Sequence, residues 1–283
     1  MPRALRINYP LIMGILNVTP DSFSDGGRYL DAGAAVEHAR AMVMDGAHII
    51  DMGAESSRPG SDPVPPAEQL RRLLPVLKAF RKKSDAPVSI DTWSAVVAEA
   101  CLAEGATTIN DITAVRGDKR MMAVLKKSNC DIVLMHMPAT PKTMQKHANY
   151  TDVMATLIRF FNERTAACID AGINPKRLII DPGVGFGKTA DHNFEIIRRI
   201  GELRAFGLPV LLGLSRKKFL GTMTNEAKPE NRVTASIVAG LYAVNNGADI
   251  LRVHDVKEHV ASVCLMNRLQ DRADIPRKPS RPS

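Results

Sequence analysis

Aromatic residues are only 5% of this 283-residue chain, with a single tryptophan, and that scarcity removes the stacking platforms on which single-stranded nucleic acid is held. The formal charge of +8 does not restore a nucleic-acid or membrane reading, because much of it sits at the ends. Residues 272–283 carry Arg272, Arg277, Lys278 and Arg281 against Asp274, residues 1–10 add Arg3 and Arg6, and the body between keeps only about +3. That excess suits a small anionic ligand. Long apolar runs are missing as well. LIMGIL, residues 11–16, is too short for the core of a signal peptide, and nothing approaches a membrane span. The four cysteines, Cys101, Cys130, Cys168 and Cys264, lie far apart with no CxxC pair, which disfavours a structural zinc site and fits a reduced, cytoplasmic chain with mostly buried thiols. No Ser-His-Asp order, HExxH or paired-glutamate signal is present, so chemistry that needs a strong protein base is not advertised.

What is there is an alternation of short apolar runs and helical spacing. The runs are LIMGIL, HIIDMG (48–53), PVSIDT (87–92), TTIND (107–111), DIVLMH (131–136), RLIIDPG (177–183), PVLLGLS (209–215) and DILRVHD (249–255). Between them lie amphipathic stretches such as AEQLRRLLPVLKAFRKK, and several end on a glycine, Gly46, Gly105, Gly172 or Gly247, as a left-handed helix terminus requires. Eight strands alternating with helices predict an α/β fold with its parallel sheet closed as a (β/α)8 barrel. At 45% hydrophobic, the chain can bury one core without an internal linker. We read residues 1–10 as an N-terminal segment, 11–271 as a single barrel domain, and 272–283 as a basic, proline-rich disordered tail. The alternative is an open doubly wound sheet, which would bind at one switch point and draw on two or three strand ends.

The strand ends favour closure. Asn17, Ser57, Arg58, Asp91, Asn110, Asp111, His136, Asp181, Ser215, Arg216, Lys217, Arg252 and His254 all stand at or just past the C-terminal end of a strand. That is the face on which such barrels build active sites. Period-two alternation places Arg252 with His254, Thr108 with Asn110 and Ile179 with Asp181 on one side of their strands, so one pocket can gather them.

Each motif has a bland reading beside the functional one. NVTPDSFSDGG (17–27) consists of ordinary turn residues, yet it is longer than the usual connection in α/β units, and Asn17 offers a hard oxygen suited to Mg²⁺. Arg58 sits in a Gly- and Pro-rich loop able to carry a bidentate phosphate contact, or it is a surface ion-pair partner. Asp91, Asn110 and Asp181 end apolar strands, where an unpaired carboxylate is costly. Any one of them could cap a helix. Together they suit a planar, hydrogen-bond-rich heterocycle. DPGVGFGKT (181–189) fails as a Walker A loop because Pro182 occupies the first glycine position, and GVGFG is not GxGxxG, so nucleotide binding is unsupported. Its glycines allow a tight turn beside a flat ligand, with Phe186 at the rim. Lys217, Arg252 and His254 follow the last two strands, where barrels commonly form a phosphate corner, whereas Lys218 reads as a solvated charge and His136 as a satisfied interior histidine.

Taken in order, MGILNVTPDSFSDGG, GAESSRPG, SIDTW, INDI, LMHM, DPGVGFGK, GLSRKKF and RVHDV resemble the dihydropteroate synthase family, from Met13 to about Leu269. One such motif is weak, but the ordered set is specific. The resemblance implies a TIM barrel that condenses 6-hydroxymethyl-7,8-dihydropterin pyrophosphate with p-aminobenzoate in folate synthesis, releasing pyrophosphate. It implies catalytic Asp91 and Lys217, and a pterin site at Asp91, Asn110, Asp181 and Lys217. It further implies a pyrophosphate site at Asn17, Arg58, Arg252 and His254 with Mg²⁺ on Asn17, and a p-aminobenzoate side at Ser57, Pro59 and Phe186. A homodimer, small-molecule substrates as partners and the standing of a sulfonamide target follow from the same resemblance. Ser57 and Lys218 depart from the family's frequent Thr and Ser. Two other readings stay open: a pterin-dependent methyltransferase, which would need a corrinoid partner and is opposed by the phosphate corner, and a pterin-binding paralogue without turnover.

Overall fold

The structure, a computed structural model, describes residues 10–19, 32–55 and 60–271. Ser57, Arg58 and Pro59, most of the first loop, and the terminal segments 1–9 and 272–283 lie outside the described residues. The strands are β1 (Leu11–Asn17), β2 (Ile49–Gly53), β3 (Val88–Asp91), β4 (Thr108–Asp111), β5 (Asp131–Met135), β6 (Leu178–Asp181), β7 (Leu211–Leu212) and β8 (Ile250–Val253). All pair in parallel, in the order β6-β5-β4-β3-β2-β1-β8-β7, and a bridge between Ile180 and Val210 closes the ring. The open-sheet alternative is thereby excluded. Only β7 departs clearly from expectation, with two paired residues where a run of seven was read.

The helices are α1 (Ala32–Met44), α2 (Pro66–Arg81), α3 (Ala95–Ala103), α4 (Met121–Lys127), α5 (Val153–Asp170), α6 (Ala190–Arg198), α7 (Lys218–Thr224), α8 (Val233–Asn245) and α9 (Val256–Leu269). Gly46, Gly105, Gly172 and Gly247 hold φ of +102°, +91°, +90° and +120°, the left-handed stops expected after four of them. Among the described residues no helix is long and apolar enough to cross a membrane.

Alternation along the strands sorts two cores. Outward residues such as Ile12, Leu16, Ile50, Met52, Ile90, Ile109, Leu134, Ile180 and Leu251 pack against the helices. Inward residues Leu11, Met13, Ile49, Val133, Ile179, Leu211 and Ile250 form a separate apolar plug inside the ring. Two residues further along the same inward rows, the plug gives way to Asp51, Asp181 and Arg252. The barrel is therefore apolar below and charged above, and this fixes where chemistry is possible.

Candidate active site

Arg252, on β8, reaches across the upper ring. Its Nε donates to Asp51 Oδ2 at 2.6 Å and an Nη donates to Asp91 Oδ2 at 2.9 Å. Asn110 Nδ2 donates to the same Asp51 oxygen at 3.4 Å. Register explains the grouping: β3 lays Asp91 between Gly53 of β2 and Asn110 of β4. Asp51 is wholly buried, and its Oδ1, Asn110 Oδ1 and Ser89 Oγ are buried without a hydrogen-bond partner among the described residues. Unpaired acceptors in a buried place are costly, so this layer is built for a donor that arrives with a ligand or water.

The electrostatics follow from two carboxylates sharing one guanidinium. Burial, then the neighbouring carboxylates of Asp51, Glu55 and Asp111, push the Asp91 carboxyl up to about 7 against the pull of Arg252. Burial works against the charge of Arg252, but Asp51 and Asp91 hold its pKa above the ordinary value. On β6, burial raises Asp181 to about 6, opposed by the Gly183 N–H, which donates to Oδ1 at 2.7 Å, and by Lys217, Arg252 and Lys188.

A second group lines the mouth after β6 and β7. Lys217 Nζ lies 4.2 Å from the centroid of the Phe186 ring, a cation–π contact. Phe186 packs with Ile112, Met135, Met137, Met144 and Trp93 into an apolar wall beside the carboxylates. His254 is held by Ser215, with Nδ1 and Oγ 3.0 Å apart. Burial, followed by Arg216 and Arg252, drives His254 down to about 3, so it is a neutral hydrogen-bonding group and not a second cation. Lys218 is exposed, and His136 is buried against Lys188, the interior histidine read from sequence.

Asn17 ends β1 half-buried. Among the described residues no group of three His, Cys, Asp or Glu is placed to hold a metal. A single amide oxygen does not suit a zinc-type site, and it fits an ion such as Mg²⁺ that keeps water and substrate phosphates as its other ligands.

The structure thus brings together Asp91, Asn110, Asp181 and Arg252 within the ring, and Lys217, Phe186 and His254 at its mouth. Sequence reasoning missed Asp51 and Lys188. The signal for Asp51 was the Ile-Ile-Asp at 49–51, the same letters as 179–181.

The turn after β6 tolerates no side chain at Gly183, where φ is +66° and an added Cβ would stand 2.1 Å from the His136 carbonyl oxygen. Gly183→Ala is expected to cost at least ~2 kcal/mol in thermal denaturation. Gly207→Ala has nearly the same backbone angle, +65°, and open space around it, so it should lose clearly less.

A carboxylate-and-amide layer held by Arg252, with Phe186 and Lys217 at its mouth, inside a closed (β/α)8 barrel, suits a flat, donor-rich heterocycle bearing an anion. The pterin binding enzyme family model matches residues 13–254, and the chain belongs to that family. Similar proteins within it include dihydropteroate synthases. The Escherichia coli dihydropteroate synthase is 42% identical over 260 residues, covering 92% of each chain. The Xanthomonas albilineans dihydropteroate synthase with 4-aminobenzoic acid superposes with a TM-score of 0.89 at 41% identity, covering 95% of each chain. The same enzyme in complex with 7,8-dihydropteroate gives 0.86 at 39% identity, over 96% of this chain and 97% of that one.

Proposed function

We propose that the chain condenses 6-hydroxymethyl-7,8-dihydropterin pyrophosphate with p-aminobenzoate, giving 7,8-dihydropteroate and pyrophosphate. The observation that carries this reading is Arg252 shared by Asp51 and Asp91, with Asn110 beside them, at the floor of a mouth lined by Lys217 and Phe186. The pterin's N–H edge takes Asp91 and Asp181 as acceptors, Asn110 as donor and acceptor, and Lys217 as donor to a ring acceptor. The C–O bond between the pterin methylene and pyrophosphate breaks with its electron pair leaving on oxygen. The ring then carries positive charge, and Asp91, Asp51 and Asp181 stabilise it electrostatically in a buried place. The aniline nitrogen of p-aminobenzoate, placed on the Ser57, Pro59 and Phe186 side, attacks the methylene, forms the C–N bond and gives up a proton to solvent. Arg252 and Arg58 supply positive charge toward the pyrophosphate and neutral His254 a hydrogen bond. Asn17 would hold Mg²⁺, which supplies Lewis-acid neutralisation of the leaving group when bound.

Pyrophosphate release measured with each component omitted tests this. Sustained release over many turnovers is expected only when pterin pyrophosphate and p-aminobenzoate are both present, and to fall on chelation with return on adding Mg²⁺. Binding of the pterin with no release under any condition would favour a paralogue without turnover.

The raised carboxyls give a pH dependence. Asp91 and Asp181 accept N–H bonds and stabilise a cation only when ionised, and their values near 7 and 6 sit above the usual carboxylate range. Activity should therefore be full at alkaline pH and fall as pH drops through 7 to 6. A kcat/KM profile for the pterin flat down to pH 5 would remove both as essential ionised groups.

Two further parts of the reading concern assembly and setting. Val238 and Tyr242 on α8, 63% and 46% exposed, and Leu265 and Leu269 on α9, 61% and 78% exposed, form apolar rows at four-residue spacing on two helices that pack together. This supports a homodimer through that face. Val238→Glu with Leu265→Glu is expected to give a monomer in sedimentation equilibrium where the native chain is a dimer. Free cysteines, buried at 101, 130 and 168, suit a reducing cytoplasm.

A further inference from the structure

The DPGVGFGK turn ends in a lysine that neither the phosphate-loop comparison nor the reaction above uses. Lys188 is only 4% exposed. Its Nζ lies 2.9 Å from the Gly183 carbonyl oxygen, 3.0 Å from that of Phe186 and 3.0 Å from His136 Nδ1, with the His136 carbonyl at 3.4 Å. An ammonium has three protons, and three acceptors stand within 3.0 Å of this one. That arrangement suits a charged lysine facing a neutral His136 whose Nδ1 accepts. Burial, with Arg116 and Lys188 beside it, depresses His136 to about 2 and agrees with a neutral ring.

The turn that Lys188 fills is the one that sets the mouth. Gly183, Gly185 and Gly187 have φ of +66°, +83° and +58°, and the chain folds back so that two of its carbonyls converge on one point. From outside, Tyr150 OH donates to the Gly187 carbonyl, Gln145 Nε2 to that of Gly185, and Asn193 Oδ1 accepts from the Gly185 N–H. From inside, Lys188 Nζ donates to the carbonyls of Gly183 and Phe186. Gly183 in turn holds one oxygen of Asp181, and Phe186 carries Lys217.

The geometry points to Lys188 as a positioning residue for the proposed condensation, on which this inference rests: its buried amine fixes the 183–187 turn, so placing Asp181 and the Phe186–Lys217 pair against the pterin. Withdrawing it leaves the buried Gly183 carbonyl with only the Phe186 N–H and the half-buried Phe186 carbonyl without that donor, and removes one of the three cations acting on Asp181, the others being Lys217 and Arg252. Burial pulls the Lys188 ammonium down to about 7, opposed by Asp181 from β6 and reinforced by Lys217 from the β7 loop, so it carries its charge on the acid side of neutrality, where the limb is read; His136 from the end of β5 faces it as well.

The test is Lys188→Met in the full chain, followed by pyrophosphate release from pH 5.5 to 8.5 and by thermal denaturation. The expected result is a pterin KM raised about tenfold, a p-aminobenzoate KM within about twofold, and an acid limb moved up by about half a pH unit, because Asp181 loses a neighbouring cation. Should Lys188→Met fail to fold, Lys188→Gln keeps two N–H donors for the carbonyls while losing the charge, and the same upward shift of the limb is expected from it. An unmoved limb and pterin KM in a folded variant, even with lowered Tm or kcat, overturns the proposal and leaves Lys188 a purely structural residue. If the native chain releases no pyrophosphate, it is the condensation that fails, and the inference goes with it.

Discussion

Asp91→Asn is expected to lower kcat/KM for the pterin pyrophosphate by about a hundred- to a thousandfold at pH 7.5, with the p-aminobenzoate KM little changed. Asparagine matches the carboxylate in shape and still offers Oδ1 to Arg252, so what is lost is negative charge beside the ring at the moment it becomes cationic. Removing one preorganised electrostatic partner from a buried site costs about that much in rate, or roughly 3–4 kcal/mol of transition-state stabilisation. The control is one strand away. Asp111 is wholly buried, and burial pushes its carboxyl up to about 6, but it faces away from Asn110 and accepts from the Thr113 N–H and Oγ1 at 2.7 and 2.6 Å and from the Val115 N–H at 3.1 Å. Those bonds hold a turn in which Ala114 and Val115 take left-handed φ of 52° and 62°. Asp111→Asn should therefore cost stability and leave the pterin KM nearly alone. Equal kinetic losses in the two variants would mean that Asp91 acts through folding and not through the substrate.

The comparison of these two aspartates also shows how far sequence carried. Strand ends were legible because a closed parallel ring puts all its C-terminal edges on one face, so the polar residue after each apolar run is already a list of the mouth. Period two then separated Asp181 and Arg252 from their neighbours, and the inward rows of the structure follow it. The same rule missed Asp51. Strand β2 continues two residues past it to Gly53, so Asp51 is not at an end but one inward step below, paired in register with Ser89 and Ile15. A rule that reads rims does not see the layer beneath. Lys188 was hidden differently: its stretch was weighed only as a phosphate loop and failed that comparison, and only the fold turns its amine onto the carbonyls of its own turn. Arg252 was read as a phosphate ligand from its position at the end of β8, but nothing local announces that its guanidinium spans two carboxylates on β2 and β3.

Arg252→Met is expected to destabilise the protein by about 3–5 kcal/mol at pH 7.5, lowering Tm by roughly 10 °C, because it leaves Asp51 and Asp91 facing each other without their cation. The side chains of Asp51 and Asp91 are only 0% and 11% exposed, so solvent does little to relieve them. The loss should depend on pH in a stated direction. Removing Arg252 takes away the cation that pulls the already raised Asp91 carboxyl down, so its folded-state value rises further above the unfolded one. A carboxyl raised in this way weakens the fold progressively as pH climbs from the unfolded value to the folded one, and acidification restores what was lost. The Tm deficit of the variant should accordingly shrink as pH is lowered from 7.5 to 5.5. It should shrink again at pH 7.5 in the double variant Arg252→Met with Asp51→Asn, which removes the opposing charge instead of protonating it. A deficit independent of pH and unchanged in the double variant would show that Arg252 contributes through the packing of its chain and not through its charge. Activity separates the two roles further. The double variant regains stability but has lost both the carboxylate beneath the pterin and the cation toward the pyrophosphate, so it should fold well and turn over no faster than the single variant.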